Sequence, residues 1–509
     1  MHHVSLIVEF LRGRPAVVFW TVALTQGLLW TVIPSVFYSA PPGDVPLLLA
    51  IGHELMLGSY LGAPLAFWLG EIAFRIGGLP GLYALSQICV VTTFWAVFTL
   101  GRSVVGTRHA VLGILLMAGV TAFTVPSPDF GPAVLAAPFW ALALLHYWRA
   151  VGEQQRGAWF LLALDLGLLL LTNYIGVILL VLLIAFTLAV PRGRQALAHL
   201  EPWIGFVLFA IVIFPHAAWL SGQREFIVAG FREGFLADAA ATGQFSPGLR
   251  FCLALAATHA GLALLVALAS GWPRQRRDRA PAIDRPPAET VARYYIYFFA
   301  LMPAAIAIAL AFAGGRQLEP LGLLGSLAPL VVLSGLAIVV VAGDEVLLYR
   351  ERMVSSVWLA FLIAPPLMVV FSLTAVPWTS ASDLRIAQPA MAEAQFFAES
   401  YQRRTGKPLA FVTGDERLAP LIALMAPGRP RVFFAWAPQR SPWVSVDDVA
   451  KDGAVLVWPA ENNATPPAAL KTQFPTMVPE LPRSFARTVQ GRLPPIRLGW
   501  SVLRPQATP

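Results

Sequence analysis

Asp44 lies in the run Pro41-Pro42-Gly43-Asp44-Val45, just past the first long apolar stretch, where prolines and a glycine favour a tight loop. A carboxylate held there can take a proton from a hydroxyl or an amine, which is general-base chemistry. The same position suits an N-cap for a helix starting at Val45, and position alone leaves the two readings level. Asp129, in Pro128-Asp129-Phe130-Gly131-Pro132, is a second carboxylate with the same two readings. His53 and Glu54 could hold a phosphate or a metal, but adjacent residues leave a helix in different directions, which argues against one shared ion. His216, in Phe214-Pro215-His216-Ala217-Ala218-Trp219, reads as a structural histidine or a phosphate ligand; Arg224 and Arg232 follow it, with guanidinium forks suited to phosphate. Glu71 and Arg75, spaced i, i+4, most simply pair with each other. Asp165 and His259 are polar groups inside apolar runs, expected to bond each other or backbone. No Walker pattern, glycine-rich nucleotide loop, paired CxxC or HExxH occurs, so nucleotide-sugar, ATP and zinc-protease chemistry is not signalled. No cofactor is required by these residues, no metal site is assigned, and a divalent cation stays open.

The elements that must position these groups are membrane helices. Of 509 residues, 57% are hydrophobic and 13% charged, about half the charge of an ordinary soluble domain. The apolar residues form repeated long runs, and a crossing needs about 20 of them. Eleven spans are predicted, near 16–36, 82–100, 110–125, 132–148, 158–172, 174–190, 202–220, 250–270, 291–313, 321–342 and 355–376. With the N-terminus inside, 16 of the 21 arginines before residue 377 fall in inner loops, which is the bias that sets orientation. The predicted class is therefore mainly α: a polytopic bundle of about eleven spans, N-terminus in and C-terminus out. Val45–Leu57 and Ala63–Ile76 read as interfacial helices in the first outer loop.

After Pro377 the composition turns soluble. A helix over Met391–Arg404 stopping at Gly406, with strands at Leu409–Val412, Val432–Phe434 and Ala454–Val457, predicts a small periplasmic α/β domain. The expected division is thus 1–376 for the membrane part and 377–509 for the outer domain, whose proline-containing end from Pro482 is expected to be loosely ordered. The net charge of +8 divides into +3 before the break and +5 after it, and neither part makes a nucleic-acid surface. Cys89 and Cys252 lie in apolar runs without metal-type spacing and read as buried thiols.

Several of these features together resemble a known family. They are the outer loop with Asp44, the Tyr60…Pro64-Leu65-Ala66-Phe67-Trp68-Leu69 segment, a span ending in Gly101-Arg102, Pro128-Asp129, Leu171-Thr172-Asn173-Tyr174, and Pro215-His216-Ala217-Ala218-Trp219. Residues 10–240 so marked resemble the GT-C class of membrane glycosyltransferases, in its family 39 branch of bacterial protein mannosyltransferase and aminoarabinose transferase relatives. The resemblance implies a polyprenyl-phosphate-linked sugar donor, a lipid, polysaccharide or protein acceptor, and inverting transfer on the outer face. It implies that Asp44 is the first-loop carboxylate and Asp129 the second acid of the pocket. It assigns His53, Glu54, Asn173, Tyr174, His216, Arg224 and Arg232 to donor phosphate or acceptor. This chain departs from the pattern: no second acid follows Asp44 closely, Gly62-Ala63 precedes Pro64, and Asn173 stands where a lysine is common. The membrane part has no lysine at all. The alternatives are a non-catalytic transporter or lipid flippase, for which no internal repeat is found, and a degenerate family member acting as a scaffold.

Overall fold

The computed structural model describes residues 6–125, 128–223, 246–270, 282–285, 287–314, 327–347, 350–380, 383–460 and 465–506. Its main helices are α1 (Pro15–Phe37), α2 (Val45–Gly52), α3 (Leu65–Met117), α4 (Pro132–Tyr147), α5 (Ala158–Leu170), α6 (Gly176–Ala189) and α7 (Glu201–Gly222). They continue with α8 (Pro247–Thr258), α9 (Ala260–Ser270), α10 (Thr290–Gly314), α11 (Ser334–Ala342), α12 (Glu351–Thr374), α13 (Ala390–Thr405) and α14 (Leu418–Met425). Among the described residues six helices are long and apolar enough to cross a membrane: α1, α3, α4 with the turn after it, α7, α10 and α12. A seventh arises if α8 and α9, bent by 43° at their junction, count as one. Three of the expected spans, 158–172, 174–190 and 321–342, correspond to the shorter apolar helices α5, α6 and 327–342, and 82–100 and 110–125 fall largely within one helical run, α3, with the left-handed Gly106 between them. Gly101, Arg102, Gly106 and Arg108 look like a loop in sequence, and the chain does turn there: Gly106 takes φ 77°, outside the right-handed helix, and a Cβ on Gly101 would lie 3.0 Å from the Ala110 Cβ nine residues further on.

Contacts divide the chain into two compact units. The first comprises residues 1–31, 60–66 and 83–366; the second comprises 32–59, 67–82 and 367–509. The second unit thus begins near the expected break at 377, and it also takes two pieces of the first outer loop.

In the first unit an aromatic core gathers Tyr147, Phe186, Tyr295 and Phe299, with Tyr147 and Tyr295 stacked at 6.0 Å and Tyr295 against Phe299 at 4.9 Å. Their hydroxyls are satisfied locally: Tyr295 donates to the Leu144 carbonyl at 2.6 Å, and Tyr147 pairs with Thr187 at 2.7 Å. A lipid-facing bundle has no water to take such groups, so each must find a partner inside. Asp165 meets His146 at 2.5 Å, while His259 bonds the Leu255 carbonyl and Ser334, each at 2.8 Å. Of the two polar groups expected to bond each other or backbone, His259 thus bonds backbone and a serine, and Asp165 bonds a histidine. Small residues bring helices close: a Cβ on Gly335 would lie 2.1 Å from the Gly113 carbonyl oxygen, so any side chain there would separate α3 from α11.

In the second unit five strands form a mixed sheet: β3 (Phe411–Gly414), β4 (Arg431–Phe433), β5 (Ala454–Pro459), β6 (Arg483–Phe485) and β7 (Ile496–Leu503), numbered after a two-stranded ribbon of β1 (Ala282–Asp284) and β2 (Glu345–Leu347) in the first unit. The order is β4-β3-β5-β7-β6, parallel across β4, β3 and β5, antiparallel from β5 to β7 and from β7 to β6. Helix α13 ends where expected, with Gly406 at φ 72° as its left-handed cap. The end from Pro482 is not loose. Strand β7 lies inside the sheet, with Ile496, Leu498, Trp500 and Leu503 buried, while residues 486–495 between β6 and β7 are outside the ladder.

Glu393, in the first turn of α13, is wholly buried. Its Oε2 accepts from the Gln388 amide at 2.8 Å, and its Oε1 has no partner among the described residues. Burial pushes this carboxyl up to about 7, against the Gln388 hydrogen bond and the charge of Arg487. A carboxyl raised in the fold binds its proton more tightly there than in the unfolded chain, so its contribution is fully present below the ordinary carboxyl range and is lost as pH rises through 7. Across that window it amounts to about 3 kcal/mol. Glu393→Gln is expected to flatten this dependence. In thermal melts of the full chain in micelles from pH 5 to 8, the variant should gain on the native chain as pH rises.

Candidate functional site

Asp44 occupies the N-cap position of α2, but its side chain makes no capping hydrogen bond and forms no ion pair among the described residues. The carboxylate is exposed, on a turn in which Gly43 adopts φ 53° and the Val45 amide donates to the Pro42 carbonyl at 3.3 Å. Residues from the C-terminal part hold this loop. The Ser39 and Ala40 amides donate to the Ile386 carbonyl at 2.9 and 3.2 Å, and Ala40 packs with Ala390 and Leu421. Helix α2 buries Val45, Leu48, Leu49 and Ile51 and packs against α14. The expected interfacial helix is therefore covered by protein along its apolar face.

His53 and Glu54 turn to different partners, as adjacent residues at a helix end do. His53 Nδ1 lies 3.2 Å from Glu71 Oε1; Glu54 takes a two-point bond from Arg431, at 2.9 Å from Nε and 2.6 Å from a terminal nitrogen. Glu71 has no solvent exposure and also receives Arg75 Nε at 2.7 Å and Arg429 at 2.8 and 3.0 Å, so the i, i+4 pair is present with two added partners. Arg429 lies over the Phe74 ring at 4.6 Å and adopts φ 47°, an uncommon backbone for a side chain that is not glycine. Neither Arg429 nor Arg431 was singled out from sequence. The only local signal is the run Gly428-Arg429-Pro430-Arg431.

In the first unit, three of the sequence landmarks meet. The Leu65 amide donates to the Leu171 carbonyl at 2.9 Å, and the space beside Gly62 is bounded by the Tyr174 ring. The Tyr174 hydroxyl and His216 Nε2 are 3.0 Å apart, and His216 stacks between the rings of Tyr174 and Trp219 at 5.9 and 5.8 Å. Asn173 is buried and turns its Oδ1 onto the Ile175 amide at 3.0 Å. The result is an aromatic face with polar tips, suited to a ligand that is apolar along one side and hydroxylated or charged at one end. Asp129 is half-buried on the turn before α4; Gly131, not Asp129, takes the N-cap position. Asp129 belongs to the first unit and Asp44 to the second. Arg224 and Arg232 lie outside the described residues. Among the described residues no group of three or more His, Cys, Asp or Glu side chains is arranged to hold a metal.

Residues 62–219 match the profile of a family described as dolichyl-phosphate-mannose-protein mannosyltransferase. The resemblance to the GT-C class, in its family 39 branch, therefore holds over the stretch that contains Asp129, Asn173, Tyr174 and His216. Among solved structures, the chain is similar to ArnT from Cupriavidus metallidurans bound to undecaprenyl phosphate, at 14% identity over 97% of this chain and 99% of that one, with a TM-score of 0.49. It is also similar to the oligosaccharyltransferase of Archaeoglobus fulgidus in the apo form, at 16% identity over 84% and 65% of the two chains, with a TM-score of 0.43. Among curated proteins no sequence match is found.

The knot around Glu71 makes a direct prediction. Arg429→Met leaves a wholly buried carboxylate with Arg75 and His53 only, and breaking such a pair from one side costs about 3 kcal/mol. Thermal unfolding of the full chain in micelles should show a clear fall in Tm. Adding Glu71→Gln to Arg429→Met should recover part of the loss, because the uncompensated charge is gone.

Proposed function

We propose that this chain is an integral-membrane glycosyltransferase that moves a sugar from a polyprenyl-phosphate donor to an acceptor on the outer face of the membrane. The observation that carries this reading is the family match over residues 62–219, within which Tyr174, His216 and Trp219 form one aromatic and polar face. The family's printed description names a lipid-phosphate-linked sugar as donor, and a face apolar on one side fits such a molecule.

In the proposed reaction an acceptor hydroxyl or amine attacks C1 of the sugar. The C1–O bond to phosphate breaks, polyprenyl phosphate leaves with the bonding electrons, and the configuration at C1 inverts. Asp44 takes the proton from the acceptor; its exposed carboxylate, free of a capping bond, is chemically able to do so. Asp129 serves as the second acid of the pocket. Arg224, Arg232 and His216 neutralise the leaving phosphate, with Asn173 and Tyr174 beside it. His53 and Glu54 act at one remove, through their bonds to Glu71 and Arg431, by holding the end of α2.

The test is transfer from a panel of polyprenyl-phosphate sugars in membranes that carry the native chain or Asp44→Asn. Removing a general base should lower the rate by about 10²–10⁴-fold with insertion unchanged. Undiminished product from a correctly inserted Asp44→Asn would remove Asp44 as the base, and absence of transfer by the native chain from every donor would remove the reading itself.

A further inference from the structure

A cleft of about 590 Å³ opens in the first unit between the middle of α3 and the end of α4, and none of the residues assigned to transfer lines it. Arg102 and Arg149 face each other across it, with Thr99, Ser103 and Thr107 along one wall and Glu153 on the other. Both walls depart from regular helix. Gly106 is left-handed on one side; on the other, a π-helical turn over Trp148–Gly152 leads into Gln154 at φ 56°. Such turns are over-represented where a helix must aim a side chain at a ligand.

The polar groups of the cleft are mostly donors. Among the described residues neither Arg102 nor Arg149 has a carboxylate partner; Arg102 has only the Phe98 ring, at 5.8 Å. Glu153, the lining carboxylate, is engaged by the Gln155 amide at 2.8 Å. Thr99 and Ser103 spend their hydroxyl protons on the Trp95 and Leu100 carbonyls, at 2.7 and 2.9 Å, which leaves the Thr107 hydroxyl as a further donor. With two guanidinium groups against one carboxylate, Glu153, the lining is net positive, and an anion between Arg102 and Arg149 meets two forks of N–H donors. Arg102 and Arg149 also belong to the loops that the arginine bias places inside, across the membrane from the loop bearing Asp129.

We propose that this cleft is a phosphate-binding site on the inner side of the membrane, distinct from the transfer site, and that Arg102, Arg149 and Thr107 are its ligands. The group bound is a phosphate ester, carried by an anionic lipid headgroup or by a free phosphate compound. The proposal is independent of the transferase reading.

Calorimetry on the full chain in neutral maltoside micelles tests it, with dioctanoyl phosphatidic acid, dioctanoylglycerol and inorganic phosphate as probes. Phosphatidic acid should bind and dioctanoylglycerol should not. Arg102→Gln and Arg149→Gln should each weaken binding at least about tenfold, the value of one charge-assisted pair. Arg149→Lys should keep part of it, and Arg156→Gln, outside the cleft, should change nothing. Inorganic phosphate that competes at equal concentration assigns the site to free phosphate; phosphate that fails to compete assigns it to lipid. Binding unchanged in the Arg102→Gln, Arg149→Gln double variant, or no binding of either phosphate probe, overturns the proposal.

Discussion

A carboxylate with no exposure to solvent has to be neutralised where it stands, and in the second unit that carboxylate is Glu71. Three positive or proton-bearing groups reach it from three segments: Arg75 from its own helix, His53 from the end of α2, and Arg429 from the turn before β4. The bonds from His53 and Arg429 tie separate pieces of chain to the helix that carries Glu71. Arg429 also reaches the Leu49 carbonyl at 3.4 Å, so the same guanidinium that answers the charge closes the far side of α2. The turn carrying Asp44 is the other end of that short helix. Its position follows from the charge balance around Glu71, together with the packing of α2 on α14 and the bonds from Ser39 and Ala40 to Ile386.

Much of this was legible in the residues. Apolar runs located the helices because lipid demands long uninterrupted ones, and turn residues after Pro377 marked α13, β3, β4 and β5 to within a few positions. The turn within α3 was legible as well: glycines and arginines at 101–108 carry the signature of a loop, and Gly106 takes the left-handed conformation there. Strand β7 was hidden by the prolines around it, although its own eight residues pair on both sides. Within the candidate site, Asp44, Tyr174 and His216 could be named from local sequence. The distant partners of Glu71 and Glu54 could not, since Arg429 and Arg431 lie more than 350 residues further along, where no helical or strand periodicity links them.

The first unit treats its polar groups in two ways. Deep in the bundle His146 answers Asp165, Ser334 answers His259 and Thr187 answers Tyr147, so each is closed by a neighbour. This is the arrangement that hydrocarbon surroundings impose on structural residues. At the cleft lined by Arg102 and Arg149 the pairing stops: neither guanidinium has a carboxylate partner among the described residues, and the lining, with Glu153 as its one carboxylate, is net positive. The Tyr174, His216 and Trp219 group lies between these cases: the Tyr174 hydroxyl and His216 bond each other, and the three rings stack with His216 buried among them.

That the second unit is assembled from three distant stretches of chain has a consequence in time. Arg429 is synthesised 358 residues after Glu71, and at 5–20 residues per second the interval is roughly 20 to 70 seconds. Through that interval the nascent outer loop carries its carboxylate with only Arg75 and His53 to answer it, and α2 has no α14 to cover its apolar face. The loop that bears Asp44 is made early and finished late, so biogenesis of this protein depends on protecting an incomplete first loop until the last quarter of the chain arrives.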